Sequence, residues 1–218
     1  MIDKLEEYIL DHIDKEDDYL YDLYRATNVH LLYGRMVSGN LQGQLLKLLV
    51  SISHPKNILE IGTFSGYSAI CLARGLNEGG RLYTFEINDE LEDFTCQWIR
   101  NSDVADKIDF RIGDALVEAP CLGVKFDMIF IDGDKRKYPE YYQMLLPKHD
   151  NDNCLLNRGG LIIADNTLWD GHVVEHEYDN DKQTIGIKTF NDIVANDDRV
   201  EKVILPLRDG LTIIRYKG

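Results

Sequence analysis

Short apolar runs alternate along the chain with segments whose apolar residues recur at helical spacing. The runs "NILEIG" (57–62), "RLYTFEI" (81–87), "KIDFRIG" (107–113), "FDMIFID" (126–132) and "GLIIAD" (160–165) predict five strands. Between them "SGYSAICLARGL", "NDELEDFTCQWIRNS" and "PEYYQMLLP" carry the helical period. Strand, helix, strand at this rhythm predicts a parallel sheet with helices on both faces. The ending differs: "VEKVILPL" and "LTIIRYK" are joined by Arg208-Asp209-Gly210, whose Asp-Gly pair favours a tight reversal. The expected fold is therefore α/β, a seven-stranded, mostly parallel sheet closed by an antiparallel C-terminal hairpin.

Two amphipathic segments precede Gly39, and residues 1–39 are expected to form a helical extension packed across the domain or against a second subunit. The polar stretch 145–158 looks like a surface insertion. A length of 218 residues fits a single domain, 1–218, with a full core. Acidic residues outnumber basic ones by 38 to 24, a net charge of −14 that disfavours a phosphate backbone as partner. No apolar run approaches the ~20 residues of a membrane span, and the acidic start lacks the basic and apolar parts of a secretion signal, so a cytoplasmic location is expected. Cys71, Cys96, Cys121 and Cys154 lie far apart and read as reduced, mostly buried thiols.

In open sheets of this kind ligands sit beyond the carboxyl ends of the strands, so the residues ending each strand carry the information. After the first strand the chain reads Glu60-Ile61-Gly62-Thr63-Phe64-Ser65-Gly66-Tyr67-Ser68, a glycine-containing turn into a helix starting at about Ser65. Such a turn either approaches a ligand or only eases strand into helix. Glu86 ends the second strand ~20 residues on, where an acid accepts hydrogen bonds from ribose hydroxyls. Asp114 ends the third and is placed to face an adenine amino group. Together they favour a nucleoside-bearing ligand.

Asp132 ends the fourth strand in "FIDGDKRKYPEYY", and Asp165-Asn166 end the fifth. Adjacent strand ends would gather two carboxylates and an amide oxygen, a donor set for a hard cation: Mg²⁺, with Mn²⁺ or Ca²⁺ as alternatives. Taken alone, Asp165-Asn166 would read as a loop start or helix cap. Lys135 is either a base beside that site or a solvated turn lysine, and Asp134 is expected to point away from it. His172 and His176 stand four apart, but Gly171 and two valines argue for a loop rather than a zinc pair. "KRK" at 135–137 is too short for a nucleic-acid patch, and Tyr138, Tyr141 and Tyr142 read as packing.

"ILEIGTFSGYSAICLARGL", "LYTFEIN", "FIDGDKRKY" and "ADNTLWDG" resemble the cation-dependent class I S-adenosylmethionine O-methyltransferases, the group of the caffeoyl-CoA and catechol enzymes and their small bacterial relatives. "GRMVSGNLQGQLL", "DKQTIGIKTFND" and "LPLRDGLTIIR" extend the resemblance over essentially the whole chain. It implies a Rossmann-like domain in which Asp132, Asp165 and Asn166 hold the cation and Lys135 is the general base. For the S-adenosylmethionine site it implies Met36, Ser38, Glu60, Gly62, Ser68 and Glu86; Asp114 falls where relatives vary and is placed toward the adenine by its strand-end position alone, and Asp132 is expected in the donor site as well as on the metal. Trp169 matches an aromatic wall of the acceptor pocket. The reaction so implied is methyl transfer to a hydroxyl of a small aromatic, catechol-like acceptor by a homodimer. A phenol with a pKa near ~10 is mostly protonated at neutral pH, so a cation on adjacent hydroxyls and a neutral lysine amine suit that chemistry. Two other readings stand beside it: a methyltransferase acting on a wobble hydroxyuridine of tRNA, which the acidic charge weakens, and a non-catalytic nucleotide-binding module.

Overall fold

The computed structural model describes residues 4–147 and 154–218. The central part of the expected insertion, 148–153, lies outside the described residues. Seven strands, β1 (Asn57–Ile61), β2 (Arg81–Glu86), β3 (Ile108–Ile112), β4 (Phe126–Ile131), β5 (Leu156–Asp165), β6 (Val200–Leu205) and β7 (Leu211–Tyr216), form one sheet in the order β3-β2-β1-β4-β5-β7-β6. Strands β3, β2, β1, β4 and β5 pair in parallel, and β7 runs antiparallel to both its neighbours. The expected architecture is the one found. The Asp209-Gly210 reversal lets β7 insert between β5 and β6.

Side-chain alternation sends each central strand into two cores. Ile58, Met128, Phe130 and Ile163 face one cluster with Leu23 of α2 (Asp18–His30), Leu46 of α3 (Gly39–Ser53), Ile70 of α4 (Tyr67–Gly75) and Ile99 of α5 (Glu92–Arg100). Leu59, Ile129, Ile131 and Ile162 face the other, with Ala115 of α6 (Ala115–Glu118), Tyr138 and Tyr142 of α7 (Tyr138–Leu145) and Phe190 of α8 (Lys182–Ala195). Phe190 meets Tyr138 and Tyr142 edge-on, with ring centroids 5.5 and 5.9 Å away. Each such fully buried apolar side chain contributes roughly 1.5–3 kcal/mol.

The N-terminal extension divides. The first helix, α1 (Lys4–Asp11), buries no residue, while α2 lays Leu20, Leu23 and Thr27 across the domain. Asp17 caps α2 and pairs with Arg74 of α4 at 2.5 Å, and Glu16 accepts a hydrogen bond from Tyr67. Helix α4 starts at Tyr67, two residues later than expected, because Gly66 takes a left-handed conformation (φ 88°) as its cap. Strand β5 starts at Leu156 rather than residue 160, since Leu155 and Leu156 bury themselves and the chain pairs with Phe126 early. All four cysteines are free, but only Cys71 is buried and Cys121 is exposed, which corrects the expectation of mostly buried thiols.

Candidate active site

Register decides the site. Ile131 pairs with Ala164, so Asp132 and Asp165 emerge side by side from adjacent strand ends. Asn166 follows with φ 57°, a left-handed conformation that asparagine tolerates better than most residues. The 135–137 turn after β4 brings Lys135 back over the same point: its Nζ stands 2.6 Å from Asp132 Oδ1 and 3.0 Å from the Tyr138 hydroxyl, and the residue is 8% exposed. Burial and the Asp132 charge together hold Asp165 above the usual carboxylate range. Asp134 does turn away: it caps the 135–137 turn and is ion-paired with Arg136 at 2.6 Å, which holds its carboxyl low.

A cleft beside these groups is lined by Met36, Ser38, Gly62, Ser65, Ser68 and Asp132. Gly62 (φ 100°) cannot be replaced quietly, because a Cβ there would stand 2.5 Å from the Asp132 carbonyl oxygen. Glu60 lies behind this wall. It is wholly buried, and its two carboxylate oxygens accept from Ser68 at 2.6 Å and Thr84 at 2.5 Å. Burial pushes its carboxyl up to about 8 despite those donors. Glu86 accepts from the Phe64 and Asn88 backbone amides at 2.8 and 2.9 Å, which fixes the turn and leaves lone pairs over for a ligand.

Asp114 is engaged locally: it caps the short helix Ala115–Glu118 and pairs with Lys137 at 3.1 Å. Trp169 (φ 47°) packs partly buried against the core beside α8 and donates its backbone amide to Asp209 O at 3.1 Å. His172 stacks on Tyr178 and His176 pairs with Asp179, so the two histidines do not converge. Among the described residues no group of three or more His, Cys, Asp and Glu side chains is arranged to hold a metal ion. The donor set at the strand ends is two carboxylates and an amide, oxygen throughout, and it suits a hard cation rather than zinc.

Three residues join the site that sequence patterns do not single out. Tyr138 shares its hydroxyl hydrogen between Ile131 O and Asp165 O, 3.1 and 3.0 Å away, tying the two strand ends together. Gln42 of α3 donates to Asp165 Oδ2 at 2.7 Å. Ser65 Oγ is a buried polar atom without a partner in the cleft wall, the kind of group a bound polar ligand would satisfy. An apolar-to-polar boundary at a strand end is visible in sequence, whereas these contacts depend on tertiary packing.

The model of a family described as "O-methyltransferase" matches residues 11–217. The chain belongs to the O-methyltransferase family. Tricin synthase 2 of Oryza sativa subsp. japonica is 35% identical, the match covering 98% of this chain and 75% of that protein. Caffeoyl-CoA O-methyltransferase of Eucalyptus gunnii is 34% identical over 98% of this chain and 87% of its own. Among solved structures, the O-methyltransferase TomG from Streptomyces achromogenes, in complex with SAM, superposes with a TM-score of 0.88 at 29% identity, covering 99% of this chain and 97% of that one. The O-methyltransferase from Bacillus cereus, in complex with SAH, gives a TM-score of 0.84 at 30% identity, over 98% and 97%. This O-methyltransferase therefore has the Rossmann-like methyltransferase fold, and it is an S-adenosylmethionine-dependent enzyme.

Proposed function

We propose that this O-methyltransferase carries the methyl group of S-adenosylmethionine to a hydroxyl of a small aromatic, catechol-like acceptor oriented by a divalent cation. Asp132, Asp165 and Asn166 would hold the cation through oxygen, with Mg²⁺ the expected ion and Mn²⁺ or Ca²⁺ as alternatives. A bound cation supplies positive charge that stabilises the deprotonated hydroxyl and fixes its direction. The observation that carries the reading is the buried Lys135 amine 2.6 Å from Asp132, at the strand end that Asp165 shares in register.

In that reading Met36, Ser38, Gly62 and Ser68 hold the methionine end of the donor, with Ser65 Oγ as a further hydrogen-bonding group. Glu60 keeps Ser68 in place, Glu86 takes the ribose hydroxyls, and Asp114 and Trp169 border the adenine and the acceptor. The acceptor's O–H bond breaks and its proton goes to Lys135, which takes it as the neutral amine and becomes the ammonium. The oxygen's electron pair forms the new bond to the methyl carbon as the S–CH₃ bond breaks, and the sulfonium leaves as a neutral thioether. Alignment of the two reactants contributes much of the rate in such a transfer. Homodimer formation belongs to the same proposal, with light scattering as its check.

The deciding experiment is a transfer screen with labelled donor and Mg²⁺, offering catechols, hydroxycinnamoyl thioesters, flavonoids and undermodified tRNA. Label on a vicinal diol compound supports the proposal. Label on RNA alone overturns it.

A further inference from the structure

The β6–β7 turn, Arg208-Asp209-Gly210, is more than a reversal between strands. Its backbone is clamped to the loop after β5: Thr167 N donates to Gly210 O at 3.0 Å and Leu168 N to Asp209 O at 2.8 Å. Gly210 (φ 89°) is required there, because a Cβ would stand 2.5 Å from Leu168 Cγ. Asp209 reaches the end of β5 directly, and Arg208 reaches it through Gln42 of α3. Asp209 Oδ2 accepts from Asn166 Nδ2 at 3.3 Å. Arg208 Nη1 donates to Gln42 Oε1 at 3.1 Å, and Gln42, 1% exposed, passes its Nε2 to Asp165 Oδ2 at 2.7 Å.

The chemistry of these partners fixes two amides that are otherwise free to turn over. A guanidinium only donates, so Gln42 must show it oxygen and face Asp165 with nitrogen. A carboxylate only accepts, so Asn166 must show Asp209 its nitrogen and carry its oxygen on the opposite side. We infer that Arg208, through Gln42, and Asp209 directly are positioning residues that orient two of the three cation ligands, Asp165 and Asn166. The inference rests on the proposed cation site. Partners of this kind set ligand direction, and losing one typically costs ~10–100-fold in metal affinity.

The test uses the full chain, with Mn²⁺ affinity read by electron paramagnetic resonance and S-adenosylhomocysteine affinity by calorimetry. Asp209→Leu and Gln42→Met each remove one orienting group at similar volume, and each is expected to weaken Mn²⁺ about 10–100-fold while changing S-adenosylhomocysteine affinity by less than about threefold. Asp209→Asn keeps an acceptor oxygen and is expected to restore most of the Mn²⁺ affinity. Unchanged Mn²⁺ affinity in both variants, with the wild type binding, overturns the inference alone. Parallel loss of both ligands without rescue by Asp209→Asn also overturns it, since the role is then only structural. A wild type that does not bind Mn²⁺ at all removes the cation site and the inference with it.

Discussion

Lys135 is nearly buried, with its amine beside the Asp132 carboxylate and the Tyr138 phenol, a setting in which a proton acceptor can be kept close to a reacting oxygen. Lys135→Ala is expected to lower turnover by roughly 10²–10⁴ while leaving donor affinity nearly intact. Unchanged turnover in a steady-state assay would take the base out of the mechanism. Glu60 carries a second prediction. Its carboxyl titrates at about 8 in the folded protein, pushed up by burial, and near ~4.3 when unfolded. Folding therefore takes up a proton between those values, and this residue's contribution to stability is full below pH ~4 and lost as the pH rises through 8. Melts of the ligand-free protein should show Glu60→Gln flattening the decline in stability between pH 5 and 8; an identical decline in both proteins would refute the assignment. Asp132, Asp165 and Glu86 were legible in the sequence because each stops an apolar run. Gln42 was not, because its partner Asp165 lies 123 positions away, and only the packed fold brings a helix amide to that carboxylate.

Elements fix how closely these side chains can meet. Helix α8 lies against the 135–137 turn through Gly186, where a Cβ would stand 2.3 Å from the Lys135 carbonyl oxygen. Gly186→Ala is expected to cost about 1–3 kcal/mol by overpacking and to shift the Lys135 turn. Chemical denaturation measures the first effect, and a fall in turnover the second; a variant as stable and as active as the parent would contradict the close packing. The strands themselves were readable from their apolar runs, as was the hairpin from its Asp-Gly pair. Helix α4 began late because Gly66 serves as a left-handed cap, a conformational choice that residue type permits without dictating. Strand β5 began early because Leu155 and Leu156 found partners in the core, a tertiary effect that their polar neighbours in sequence concealed.

At the scale of the molecule, a net charge of −14 includes the carboxylates gathered at the strand ends, and the divalent cation of the proposed function would offset part of their repulsion. Chelation is therefore expected to abolish transfer and Mg²⁺ to restore it. Mg²⁺ at about 100 times its dissociation constant should also add ~2.7 kcal/mol of stability, visible as a higher melting temperature. Activity and melting both indifferent to chelator would exclude the cation from the protein's chemistry. The sheet as a whole was legible from its alternating strands and helices, and the resemblance running along nearly the full chain agrees with the family match over 11–217. The acceptor's identity was not legible, because the residues that shape its pocket lie in loops whose sequence follows the substrate rather than the fold.

Strand β7 is the last of the seven in chain order, yet it seals the flank of β5, the strand that ends in Asp165. During synthesis the proposed cation ligands Asp132, Asp165 and Asn166, and Lys135, are all made by residue 166, before any strand can cover that flank. A ribosome-bound intermediate thus holds its future site on a bare sheet edge, open to pairing with a neighbouring chain. Premature termination anywhere between residues 167 and 210 would yield a protein with the proposed base and cation ligands present and a sticky border in place of an enzyme.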